Sequence, residues 1–121
     1  MTPTATPTLN YTTQQLTDII QQAKEAAHKA ALTYFNDVLD NVDRGMCGFA
    51  WVEIRGVKGN TKLGKALKAA GVTQDWQRVF HIWNPANVGA QSLNTKEVGA
   101  QAAADVLRSY GFTAHACSRL D

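Results

Sequence analysis

Phe49, Trp51, Glu53 and Arg55 occupy every second position of Cys47-Gly-Phe-Ala-Trp-Val-Glu-Ile-Arg55, with Ala50, Val52 and Ile54 between them. A period of two belongs to a β-strand, whose successive side chains project to opposite faces. One face is apolar and suits a core. The other joins two aromatic rings to an acid and a base, the chemistry needed to stack a planar group and steer a charged one. Gln77-Arg-Val-Phe-His-Ile-Trp83 repeats the alternation, with Val79, His81 and Trp83 opposite Phe80 and Ile82. Phe112-Thr-Ala-His-Ala-Cys-Ser118 does so again, setting Thr113, His115 and Cys117 opposite Phe112, Ala114 and Ala116, with Arg119 just beyond. In one sheet, Phe49, Trp51, Glu53, Arg55, His81, Trp83, His115 and Arg119 share a surface. Aromatics and cations on an open sheet stack single bases, each worth about 1–3 kcal/mol. In the competing arrangement the first helix covers this face. Phe49, Trp51 and Trp83 are then core, and Glu53–Arg55 is a salt bridge at the sheet edge.

A second site follows if the strands are parallel. Arg55, Asn84 and Arg119 then share the carboxyl-terminal rim, where open α/β sheets collect ligands. Helix N-termini at Asn60/Thr61 and Asn94/Thr95 would add free N–H groups, and Lys58 and Lys62 add charge; a phosphate fits this set best. Against it, Lys62, Lys65 and Lys68 read as the solvated side of an amphipathic helix, and Asn60 and Asn94 as simple caps. Gly59-Asn-Thr-Lys-Leu-Gly-Lys65-Ala66 approaches a phosphate-loop motif. Ala66 cannot ligate magnesium, however, and the Gly-Lys pair falls inside the helical repeat.

Enzymatic readings have thinner support. His115 and Cys117 with His81 or Cys47 offer metal-ligand types without a metal-site spacing. Cys117, His115 and Glu53 supply the types for thiol catalysis, but side chains two apart on a strand need not touch. Neither a metal nor another cofactor is expected. Cys47 and Cys117 approach one another only if the first and last strands are antiparallel.

These segments need elements to position them. Residues 1–11 are rich in Thr and Pro and suggest a flexible tail. Thr12 and Gln15 can form a capping box. Leu16, Ile19, Ile20, Ala23, Ala27, Ala31, Tyr34, Phe35, Val38 and Val42 then recur at helical spacing, with no Gly or Pro before Gly45. A helix over 12–45 is roughly 45–50 Å long, against about 35 Å for a compact domain of this length. It therefore overhangs, bends near Thr33–Asn36 or pairs with a partner, and an overhanging apolar stripe would invite a second copy. Residues 46–121 supply β-α-β-α-β, with a short helix ending at Gly71 and a third opened by an Asn94–Glu97 capping box, its buried stripe running Val98, Ala102, Ala103, Val106, Leu107 and Tyr110. The fold class is α+β, or small α/β: a three-stranded sheet with helices on one face.

At 121 residues and 45% hydrophobic content the chain suits one globular unit. It has no apolar run of membrane-spanning length. No signal pattern opens it, so a cytoplasmic setting with reduced thiols is expected. Net charge is +2 but uneven: residues 1–46 carry three Lys/Arg against five Asp/Glu, and residues 47–121 nine against five. The basic part is the part with the strands.

Cys47-Gly-Phe-Ala-Trp-Val52, Gly59-Asn-Thr-Lys62, Ile82-Trp-Asn-Pro85, Thr95-Lys-Glu-Val-Gly-Ala100 and Cys117-Ser-Arg-Leu-Asp121 together resemble small uncharacterised proteins of tailed bacteriophages and prophages. The resemblance covers residues 47–121. It implies a phage setting within a host cell, and with it handling of nucleic acid or sequestration of a defence-signalling nucleotide. The leading expectation is a non-enzymatic module for a nucleotide or single-stranded nucleic acid. The alternatives are an inhibitor or assembly factor contacting a host or phage protein through the long helix, and a small hydrolase using His81, His115 or Cys117.

Overall fold

The computed structural model describes residues 9–121. Most of the tail expected over residues 1–11 lies outside that range, but its last residues are packed. Tyr11 stacks on Phe112 at 5.9 Å between ring centroids, and its hydroxyl donates to the Tyr110 carbonyl at 2.6 Å. Helix α1 spans Thr13–Asp37. Its start is the capping box expected: the Thr12 hydroxyl accepts the Gln15 N–H at 3.1 Å, and Gln15 Oε1 accepts the Thr12 N–H at 2.9 Å. Its end comes well before Gly45. Asp40 and Asn41 turn the chain at φ 52° and 60°, a left-handed conformation that Asp and Asn tolerate better than most side chains. The helix is therefore roughly 38 Å long at about 1.5 Å per residue.

The stripe of α1 (Leu16, Ile19, Ile20, Ala23, Ala27 and Ala31) is buried within the chain. It packs against α3, Leu93–Ser109, which also contacts the sheet. Gly99 permits the close approach: a Cβ there would lie 3.0 Å from the Ala27 carbonyl oxygen and 2.5 Å from Ala86 Cβ. The stripe is thus used within the chain as far as Ala31, while Leu32, Val38 and Val42 beyond it are exposed. Helix α3 is capped by Ser92 rather than Asn94, with the Ser92 hydroxyl accepting the Thr95 N–H at 3.3 Å. Its buried residues are Thr95, Lys96, Gly99, Ala100, Ala103, Ala104 and Leu107. Val98, Ala102, Val106 and Tyr110 are only half-buried, on the flanks, because α3 touches the sheet and α1 at once.

The sheet has four strands: β1 Gly48–Arg55, β2 Thr73–Gln74, β3 Phe80–Trp83 and β4 Thr113–Leu120, in the order β2-β3-β1-β4. Every neighbouring pair is antiparallel, which excludes the parallel α/β alternative and leaves α+β. The extra strand is β2, whose two residues are too few to show a period. It turns into β3 through Asp75, whose Oδ1 accepts the N–H groups of Gln77 and Val79, with Arg78 at φ 64°. Residues 77–79 therefore belong to this turn, and β3 starts at Phe80. Helix α2, Lys62–Ala69, is capped by Thr61 and buries Leu67. From β1 onward, β-α-β-β-α-β in this strand order is the split β-α-β arrangement. Ala50, Val52, Ile54, Phe80, Ile82 and Ala114 form one core with the apolar faces of the helices. Among the described residues no helix is long and apolar enough to cross a membrane.

Candidate ligand-binding face

With the helices packed on the Ala50/Val52/Ile54 side, the opposite sheet face is left open among the described residues. The arrangement with α1 across the aromatics is thereby excluded. β1 lies between β3 and β4, so its outward residues acquire neighbours on both sides. Trp51 pairs with Trp83 and Cys117, Glu53 with His81 and His115, Phe49 with Arg119, and Arg55 with Thr113. Residues directly opposite across a ladder have Cβ atoms about 4.5–5.5 Å apart, close enough for side chains to meet.

The three rings are contiguous. Trp51 and Trp83 lie 5.4 Å apart between centroids with planes 19° apart, and Phe49 lies 5.6 Å from Trp83. Trp83 is 49% exposed. The Arg119 guanidinium sits 5.3 Å from the Phe49 centroid and the Lys96 ammonium 5.4 Å from it. Lys96 is only 8% exposed and donates to the Gly48 carbonyl at 2.9 Å. Sequence reading misses it, since a lysine in a helical repeat looks solvated until the helix start is seen beneath β1.

Glu53 organises the centre. Its carboxylate accepts from Arg55 Nη2 at 2.6 Å and Nε at 3.1 Å, and from the Trp51 indole N–H at 3.4 Å. The Glu53–Arg55 salt bridge expected for a covered face thus occurs on the open one. His81 Nε2 lies 3.3 Å from the Thr73 hydroxyl. Burial pushes the Cys117 thiol pKa up and the Glu53 carboxylate adds to this, while Arg55 pulls the other way. A thiol held protonated is the reverse of an activated nucleophile. No group of His, Cys, Asp and Glu among the described residues is arranged to hold a metal ion. β1 and β4 are antiparallel, yet Cys117 stands opposite Trp51, while Cys47 lies beyond the Gly48–Leu120 pair; both cysteines are free.

The phosphate rim expected from parallel strands does not form. Antiparallel pairing sends Arg55 to one end of the face and Asn84 and Arg119 to the other, beside Ala50 and Phe49. Lys58, Asn60 and Lys62 follow Arg55, on the loop and at the start of α2. Asn60 is an exposed loop residue, and Thr61 is the cap. Gly64 faces the Lys58 carbonyl so closely that a Cβ could not fit, so the near phosphate-loop motif is a packing contact between α2 and the loop before it. Asn84 has φ 46° and a buried Oδ1 without a hydrogen-bond partner. It lines a groove of about 860 Å³ with Trp83 and the polar side of α1. Compared with protein-family models, with curated proteins and with solved structures, the chain matches none.

Proposed function

We propose that the protein binds a nucleotide or single-stranded nucleic acid on the Phe49/Trp51/Trp83 face, as a binding module without a reaction of its own. The observation that carries this reading is the run of three rings on the two central strands of a sheet whose helices all lie behind it. Four-stranded RNA-recognition sheets stack two or three bases on aromatics displayed in this way, an analogy of architecture. Trp51 and Trp83 supply the stacking planes. Arg119 and Arg55 stand at opposite ends, six β1 positions apart in register, or about 20 Å at roughly 3.3 Å per residue. One nucleotide reaches one of them, whereas a short strand reaches both.

The inhibitor reading is weakened because the α1 stripe from Leu16 to Ala31 is buried within the chain, and the hydrolase reading is weakened by the raised Cys117 thiol. The phage setting, and with it capture of a defence-signalling nucleotide, belongs to the proposal on the strength of the sequence resemblance alone. Fluorescence anisotropy of a labelled oligonucleotide tests the binding. Trp51→Ala and Trp83→Ala should each weaken it roughly 5- to 100-fold, the loss of one stacked base. Unchanged affinity in both variants would reject the face as the site.

A further inference from the structure

Trp76 is 88% exposed, at the tip of the β2–β3 hairpin. The turn that presents it is fixed, with Asp75 Oδ1 accepting two backbone N–H groups at 2.8 and 2.9 Å. A large indole held outward on a closed turn offers both ring faces to a planar partner. Beside it lies a groove of about 850 Å³ into which Lys58, Lys65, Lys68 and Arg78 converge from the loop after β1, from α2 and from the hairpin. The one carboxylate lining it is Asp75, already engaged with the turn. The salt bridges among the described residues are Arg55–Glu53 and Arg108–Asp105, so these four cations stand without an acidic partner. Gly59 shapes the floor: a Cβ there would lie 2.9 Å from Lys68 Nζ and 3.0 Å from the Gln74 amide atoms. The bare backbone thus leaves room for the Lys68 ammonium and the Gln74 amide to pack over it. The two helix lysines, though exposed, line the same groove as cations from two other segments.

We infer that the β2–β3 hairpin and α2 form a second contact site for single-stranded nucleic acid, with Trp76 stacking a base and Lys58, Lys65, Lys68 and Arg78 holding phosphodiesters in the groove. The inference rests on the reading of the aromatic face and extends it. β3 joins the two sites, since Trp83 belongs to the ring cluster and Arg78, just before β3, to the groove. They are five residues apart, at most about 17 Å since the chain is extended only from Phe80, and within reach of a few nucleotides. The ligand is then a strand rather than a mononucleotide.

The test compares a trinucleotide with an oligonucleotide of about a dozen nucleotides, within the range of single-strand site sizes. Wild type, Trp76→Ala, the triple variant Lys65→Gln/Lys68→Gln/Arg78→Gln and Trp51→Ala are titrated over a salt series, with thermal unfolding as the folding control. The triple variant should bind the long oligonucleotide at least ten-fold more weakly at low salt. Its slope of log affinity against log salt should be shallower by about two, at roughly 0.7 for each phosphate no longer neutralised. Trp76→Ala should weaken the long oligonucleotide roughly five-fold or more without changing that slope, and trinucleotide affinity should hold in both. Long-oligonucleotide binding that is sensitive to Trp51→Ala but indifferent to the triple variant and to Trp76→Ala would overturn the hairpin site and leave the aromatic face intact. Binding sensitive to the triple variant and Trp76→Ala but not to Trp51→Ala would uphold the hairpin and reject the face. Inorganic polyphosphate competing as well as the oligonucleotide, with Trp76→Ala neutral, would overturn the stacking role of Trp76.

Discussion

Glu53 accepts two N–H groups of Arg55 on Oε1 and the Trp51 indole N–H on Oε2, and stands beside the half-buried Cys117 thiol. Replacing it with Gln should free the guanidinium for a ligand phosphate and raise affinity about two- to five-fold, the scale of an exposed ion pair. The same change should shift Cys117. A raised pKa keeps the thiol protonated at neutral pH, so the reactive thiolate appears only as pH climbs beyond the usual thiol range. In Glu53→Gln the alkylation profile of Cys117 should move to lower pH, yet stay above the usual thiol range, because burial is the larger cause. Mass-spectrometric alkylation rates against pH would show this, and a profile unmoved by the substitution would contradict it. Which residues face outward was legible from the alternation around Trp51. That Trp51 meets Trp83, or that Glu53 lies between two histidines, was not, since register between distant strands is set by long-range pairing.

The elements that present the face depend on the seam between α1 and α3. Gly99→Val should overpack it against Ala86 and the Ala27 carbonyl, costing about 1–3 kcal/mol and lowering Tm by roughly 5–15 °C. Gly89→Ala, where a Cβ meets nothing within 4 Å, should change stability by no more than about 0.5 kcal/mol. Thermal denaturation of both variants decides; equal melting would mean that the seam is looser than described. Element starts with side-chain caps were readable, as at Thr12. The end of α1 was not, because Asp40 and Asn41 turn the chain without glycine or proline. Nor was the Ser92 cap, since the start of α3 depends also on Asp43 accepting the Gln91 and Ser92 N–H groups from another segment.

Across the whole molecule, the helices form a backing that leaves one sheet face to the ligand. Helix α1 is packed into that backing, its buried stripe lying against α3. A chain beginning at residue 46 should lose its cooperative fold, because the apolar side of α3 would be stripped of Ala23, Ala27 and Ala31. Near-ultraviolet circular dichroism of that truncation should be flat, and a native-like spectrum would show α1 to be dispensable. The class of fold was legible from the order of periodic segments. Strand direction was not, and the two-residue β2 that completes the sheet escaped notice. These two omissions dispersed the expected phosphate rim and concealed the hairpin that carries Trp76.

Bases stacked on the outward rings of β1 and β3 would be reported by the three indole N–H resonances. In ¹H–¹⁵N spectra of the full chain titrated with a trinucleotide, the Trp51 and Trp83 indole signals should move together and saturably. Trp76 and the amides of α1 and α3 should stay in place. Shifts confined to the helices, or no shift at Trp51 and Trp83 at saturating ligand, would rule out stacking on this face.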